Sequence, residues 1–217
     1  MVFYFKNNSI SPPIIYFMGK DKFETNQLNV IDSFIDEELI KWGWPEDVWF
    51  HVDKLSSAHV YLRLNPGQNI NDVSEQAIND ACQLVKANSI AGHKLSEVDV
   101  VYTMWSNLKK TPGMEVGQVA FHNDNEVRKV KVEKRNEVVN RLKKTMIEEN
   151  PDLRQMREQR DAEEKAKRIK LFKEQEEKEK ASEKRRKEEA ELKSYSSLMK
   201  SENMKDNFSG YDSDEFW

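Results

Sequence analysis

Seven residues able to do chemistry fall within one stretch: Asp47, Trp49, His51, Asp53, His59, Tyr61 and Arg63. Histidine titrates near neutrality and a carboxylate fixes its tautomer, so His51 and His59 beside Asp47 and Asp53 suggest an acid–base pair or a metal site. Aromatic rings with an arginine suggest something else: rings stack on nucleic-acid bases, each of which offers a π-face, while cations hold phosphates. The rest of the chain argues against the first chemistry. The histidine spacing matches no zinc signature, no cysteine joins it, and no activated Ser or Cys nucleophile motif accompanies it. Gly19-Lys20 lacks both the preceding glycine and the following Ser/Thr of a phosphate loop. We therefore expect neither an enzyme nor a bound metal or cofactor.

Strict alternation positions these residues. Val48, Phe50 and Val52 oppose Trp49, His51 and Asp53, and Val60, Leu62 and Leu64 oppose His59, Tyr61 and Arg63. That is the pattern of two strands with one buried face. With Lys54–Ala58 as the hairpin loop, Asp53 meets His59, His51 meets Tyr61 and Trp49 meets Arg63. Trp49, Tyr61 and Arg63 then make a stacking face, with Lys20, Lys22, Lys54, Lys109, Lys110, Arg128, Lys129 and Lys131 as a basic rim. The alternative is that a helix covers Trp49 and Tyr61, and the pattern alone fits both.

The flanking chain reads as α+β. Val2–Phe5 and Ile14–Met18 are predicted strands; Phe23–Trp42 has helical character, with Asp36-Glu37-Glu38 as an acidic start and Gly43 and Pro45 as the stop. A second helix follows a cap at Asp72 or Ser74, with Ala77, Ile78, Ala81, Leu84 and Val85 as its apolar stripe. Val98–Met104 is a strand, and Val116–Phe121 with Val127–Val132 form a hairpin across Asn123–Asn125. Six or seven strands, mostly antiparallel, with at least two helices make a compact domain over residues 1–133.

Residues 134–193 form a long charged helix that restarts near 150, with Asn150 as N-cap and Pro151 in the first turn. Val138, Val139, Leu142 and Met146 give its start an apolar stripe. Farther on, Asp161/Lys165, Glu163/Lys167, Glu164/Arg168, Glu174/Lys178, Glu176/Lys180, Glu183/Lys187 and Glu189/Lys193 are i,i+4 pairs of about 0.2–0.5 kcal/mol each. Between Arg157 and Glu189 only Ile169, Leu171 and Phe172 are large and apolar, so no coiled-coil seam is sustained and a monomer is expected. Residues 194–217 read as a disordered acidic tail, with Ser213 among acids as a candidate phosphorylation site.

Charge divides the same way. Residues 1–133 carry 13 Lys/Arg against 18 Asp/Glu, residues 134–200 carry 21 against 16, and residues 201–217 carry 1 against 5. No whole-domain basic field is present, so nucleic-acid binding must come from local patches or the basic helix. The single Cys82 excludes an intrachain disulfide and fits a small buried thiol in a reducing compartment. No targeting signal or membrane span is visible, so a cytoplasmic location is expected, with the nucleus as a second compartment.

Five blocks in order, Gly19-Lys20-Asp21, Asp47-x-Trp49-Phe50-His51, Ser57-x-His59-Val60, Val101-Tyr102-Thr103 with Lys109-Lys110, and Gly117-Gln118-Val119, resemble the motifs of the NFACT-R domain. The resemblance implies a compact RNA-binding α+β module, found in larger relatives that act in ribosome-associated quality control and engage the large subunit and transfer RNA. It places the characteristic surface on Gly19, Lys20, Asp21, Asp47, Trp49, Phe50, His51, Ser57 and His59. Two features depart from the family: Thr25–Asp36 is longer, and Ser56-Ser57-Ala58 stands where many members have Gly-Ser. The combined expectation is an RNA-binding protein of ribosomes or translation quality control, acting through Lys20, Asp21, Lys22, Trp49, His51, His59, Tyr61, Arg63, Lys109 and Lys110. A DNA-binding receptor using the same lysines, or a scaffold acting through its charged helix, are the alternatives.

Overall fold

The computed structural model describes residues 1–8, 13–20 and 30–193. Its centre is a seven-stranded, wholly antiparallel sheet, with strands β1 (Val2–Asn7), β2 (Ile14–Gly19), β3 (Asp47–Val52), β4 (Val60–Arg63), β5 (Glu97–Met104), β8 (Arg128–Glu133) and β9 (Ile147–Glu149). Their order across the sheet is β8-β5-β3-β4-β2-β1-β9. A separate two-stranded ribbon pairs β6 (Leu108–Lys109) with β7 (Ala120–Phe121). The helices are α1 (Val30–Trp42), α2 (Glu75–Ala87), α3 (Asn136–Lys143) and α4 (Leu153–Lys193).

The expected alternation holds, and both faces are buried. Val48, Phe50, Val52, Val60, Leu62 and Leu64 enter one core, closed by Ala81, Leu84 and Val85 of α2. Trp49 and Tyr61 enter a second core with Phe17, against Leu39 of α1. Helix α2 begins as expected at Ser74, whose Oγ accepts from the Ala77 amide at 3.3 Å, satisfying one of the otherwise orphaned first-turn donors. Cys82 lies wholly buried in it, and burial pushes its thiol up to about 12.

Four local expectations are corrected. The β3–β4 register pairs Trp49 with Tyr61 and Asp47 with Arg63, two residues from the symmetric hairpin, because the connection runs from Asp53 to His59. Within that connection Lys54 takes a left-handed φ of 59° and Ser57 Oγ accepts from the Val52 amide at 3.1 Å. The shift is even, so every side chain keeps its face. Second, Asp36–Glu38 lies inside α1 rather than at its start. Third, β7 and β8 do not form a hairpin: β7 pairs with β6, and β8 with β5. Fourth, α4 is capped by Asp152, whose Oδ1 accepts from the Gln155 amide at 2.9 Å, not by Asn150.

The compact unit also runs beyond 133, to Arg160. Helix α3 docks through Leu142, 1% exposed, and through Arg141, whose Nη2 donates at 2.7 Å to both oxygens of Asp80 on α2. The same carboxylate accepts from Asn7 Nδ2 at 2.6 Å, so three elements meet on one buried charge. Strand β9 then covers the free edge of β1, with Val2 opposite Glu149. In the second unit, from Asp161 on, the described residues of α4 show the expected pairs Glu176–Lys180 (2.7 Å) and Glu183–Lys187 (2.9 Å). The tail lies outside the described residues, as do Asp21, Lys22 and Ser213.

A fragment ending at Glu133 strips Asp80 of its arginine and bares the β1 edge, whereas one ending at Arg160 keeps both. Urea unfolding should give one cooperative transition for residues 1–160 and none for 1–133; a native-like transition in the shorter fragment would show that α3 and β9 are dispensable.

Candidate functional site

Of the residues expected to form the site, Trp49, His51, His59 and Tyr61 are brought together, and they lie beneath a cover. Trp49 is 2% exposed, His59 3% and Tyr61 0%; His51 is half-buried. Trp49 stacks on His51 with centroids 5.6 Å apart and meets the edge of His59 at 5.4 Å. His51 and His59 are 5.1 Å apart, and Phe121 of β7 closes over Trp49 at 5.7 Å. The open stacking face is therefore corrected: Trp49, His59 and Tyr61 are buried and offer no open ring face for stacking.

The cover is held by polar pins. Glu37 Oε1 accepts from Lys110 Nζ and from the Gly117 amide, both at 2.8 Å. Lys110 Nζ also donates to the carbonyls of Glu115 (2.7 Å) and Gln118 (2.9 Å). Lys110 is thus a loop anchor rather than a phosphate contact. Two glycines permit the close approach. A Cβ on Gly19 would lie 2.7 Å from Asp36 Oδ1, and one on Gly43 would lie 2.2 Å from Trp105 Nε1. That indole donates to the Ile40 carbonyl at 2.8 Å.

Arg63 is equally committed. Its guanidinium donates through Nε and Nη2 to the two oxygens of Asp47, at 2.8 and 3.0 Å. It lies between Trp44, 3.7 Å from the ring centroid, and Phe17, at 4.8 Å. Asp47 is fully buried and also accepts from the Trp44 amide at 2.8 Å. Beyond it, the first turns of α4 are fastened to the same edge: Arg157 donates to the Gly43 carbonyl and sits 5.1 Å from the Trp105 ring centroid, and Arg160 pairs with Glu46. No local sequence pattern marks these contacts, because they join residues far apart in the chain, Arg157 to Gly43 and Arg160 to Glu46 across 114 positions.

Under the cover, Trp49 Nε1, His59 Nδ1 and Tyr61 OH are buried and make no hydrogen bond. Each such atom costs about 1–3 kcal/mol, so clustering three of them is unusual for a face that serves packing alone. Burial, with His51 and Lys110 adding like charge, pushes His59 down to about 3, and burial lowers His51 as well. His59 is thereby kept in its neutral form near neutrality. Among the described residues no group of three or more His, Cys, Asp or Glu is arranged for a metal.

The remaining cations divide between paired and free-standing. Lys129 pairs with Asp53 (2.7 Å) and Asp99 (3.2 Å), and Lys131 with Glu97 (3.2 Å). Lys54 and Lys109 are exposed. Lys20 is 3.7 Å from Glu148 of β9 and borders a cleft on the opposite face of the sheet, together with Lys143 of α3. Sequence reasoning missed Lys143 because only the docking of α3 brings it to Lys20.

A family model described as the NFACT protein RNA-binding domain matches residues 1–123. The chain belongs to the NFACT-R family. Over its whole length and theirs it resembles proteins named coiled-coil domain-containing protein 25 from Mus musculus (53% identical) and Bos taurus (52%). It is also 40% identical to Protein JLP2 of Saccharomyces cerevisiae over 154 residues, 68% of this chain and 69% of that one. The NFACT-R model stops before β8, α3 and β9, so the cation pair at the cleft joins a family residue, Lys20, to one outside the matched span. No described helix is long and apolar enough to cross a membrane.

The depressed histidines set a pH dependence. A His with a pKa of about 3 in the fold but about 6.5 unfolded leaves the unfolded chain holding more protons between those values, so stability falls as pH drops below about 6.5. Between pH 7 and 5 the urea midpoint should fall, and His59→Gln should reduce that slope by up to about 1.4 kcal/mol per pH unit; an unchanged slope would mean His59 is not held neutral. Arg63→Ala should cost about 3–5 kcal/mol by leaving Asp47 buried and unpaired, read from the same titration at pH 7.

Proposed function

We propose that this chain is a non-catalytic RNA-binding protein, acting as a monomer on RNA of the translation machinery. The observation that carries the reading is the family match itself, since the RNA-binding domain model spans residues 1–123. The chemistry supports a binding role rather than a reaction. Burial lowers the pKa of His51 and of His59, and the cysteine is buried with a raised pKa. The exposed cations are scattered, so contact should rest on a few lysines rather than on a large field, with modest affinity and a shallow salt dependence. Ribosomal or transfer RNA is the expected class, as the family resemblance implies, and the long charged helix is a solvated extension with no sustained apolar seam for pairing.

Fluorescence anisotropy with a short single-stranded RNA, titrated in salt, tests this on three proteins: the full chain, residues 1–160 and residues 161–217. The first two should bind alike, with a log–log salt slope near −2, about three phosphates at roughly −0.7 each. Transfer of the affinity to residues 161–217 would replace the module by a scaffold acting through its helix. Single-stranded DNA of the same sequence, run in parallel, measures how much of the contact is phosphate alone, because phosphate contacts carry no sugar preference; tighter binding to it would favour a DNA receptor.

A further inference from the structure

On the face of the sheet away from the covered aromatics lies a cleft of about 440 Å3, within the size range of small-molecule sites. Its floor is apolar and buried: Phe3, Phe5, Met18 and Leu84. Its mouth carries two large apolar side chains left in solvent, Ile90 (43% exposed) and Met146 (45%). Two cations from different elements, Lys20 and Lys143, stand among its lining residues, against one carboxylate, Glu148. The Lys20–Glu148 contact is long, 3.7 Å, with Glu148 41% exposed, so a phosphate can displace it at little cost.

The polar wall is the C-terminal end of α2. Asn88 closes that helix, its Nδ2 donating to the Leu84 carbonyl at 2.8 Å, which leaves its oxygen as the acceptor on offer. His93 Nδ1 is bound to the Ser89 carbonyl at 2.8 Å, leaving Nε2 for a ligand. A helix C-terminus carries partial negative charge, so this wall favours a donor and disfavours a phosphate. The cleft therefore has a direction: flat apolar floor, donor-seeking inner wall, cationic rim. A nucleotide matches that order, with its base on the floor, an exocyclic amine toward Asn88 and its phosphate at the lysines.

We propose that this cleft receives one unpaired nucleotide of a single-stranded RNA, base inward and phosphate toward Lys20 and Lys143. The proposal rests on the RNA-binding reading and adds to it a location and a preference: bases bearing an exocyclic amine over uracil. It also gives the exposed Ile90 and Met146 an aromatic surface to cover.

The test uses the full chain with two substitutions at exposed positions, Ala87→Trp, which fills the cleft from the end of α2, and Lys143→Glu. Anisotropy with ten-nucleotide oligo(A) should show a loss of about tenfold for Ala87→Trp and severalfold for Lys143→Glu, and the oligo(A) over oligo(U) preference of the parent should disappear in Ala87→Trp. Thermal unfolding verifies that both variants keep the parent fold. In parallel, adenosine monophosphate is titrated into 13C-methyl-methionine protein. The Met18 and Met146 methyl signals should shift in the parent and stay fixed in Ala87→Trp. Parent-like RNA affinity in both folded variants, or methionine signals unmoved by the nucleotide, overturns the cleft while the RNA-binding reading stands. A parent with no RNA affinity removes that reading and the proposal with it, whatever the nucleotide does.

Discussion

The Asp47–Arg63 pair sets the register on which the rest of the sheet depends. A fully buried carboxylate receives a two-pronged guanidinium across the first rung of β3 and β4, and the guanidinium is clamped between Trp44 and Phe17. Buried ion pairs gain little net stability, because desolvation offsets the attraction, but breaking one strands a charge. The pair therefore acts as a selector. Any other register parts the two charges, so one alignment survives; it puts Trp49 opposite Tyr61, while alternation sends both rings to the face beneath α1.

From that rung the two faces take different roles. The face of Val48, Phe50 and Val52 is filled by α2, an ordinary core. The other face packs aromatics and histidines under a helix and a ribbon, and leaves three polar atoms without partners. The cover is fastened by a few charged contacts, Glu37 to Lys110 and Gly117 above all. Lysines that look like phosphate ligands in the sequence thus become fasteners, while the cations left to meet a ligand stand at the edges of the domain, some on elements the family model does not include.

Much of the fold was legible because alternation and helical period are local. The β3 and β4 faces, the α2 stripe, the Ser74 cap and the antiparallel α+β class follow from residues a few positions apart. Register was not legible, since the length of the β3–β4 connection depends on a left-handed Lys54 and a Ser57 hydroxyl bond that no pattern announces. Nor was the burial of Trp49 and Tyr61, which depends on α1 arriving from a segment of ambiguous character. The site was legible as a set of residues and illegible as an arrangement: the motifs name His51, His59 and Lys110, but only the fold shows a half-buried ring against a buried one and a lysine tied to three oxygens. Lys143 and Asn88 carry no motif at all.

The edge strand β9 has a consequence for synthesis. Its partner is β1, and Val2 waits for Glu149, so the first strand of the sheet to be made keeps an open edge until nearly the whole compact unit has followed. At about 5–20 residues per second that interval is on the order of ten to thirty seconds, during which the row of unpaired amides on β1 is a template for pairing with another chain. A ribosome making this domain thus holds an incomplete sheet until β9 emerges, and that last described strand is the one that makes the domain safe to release.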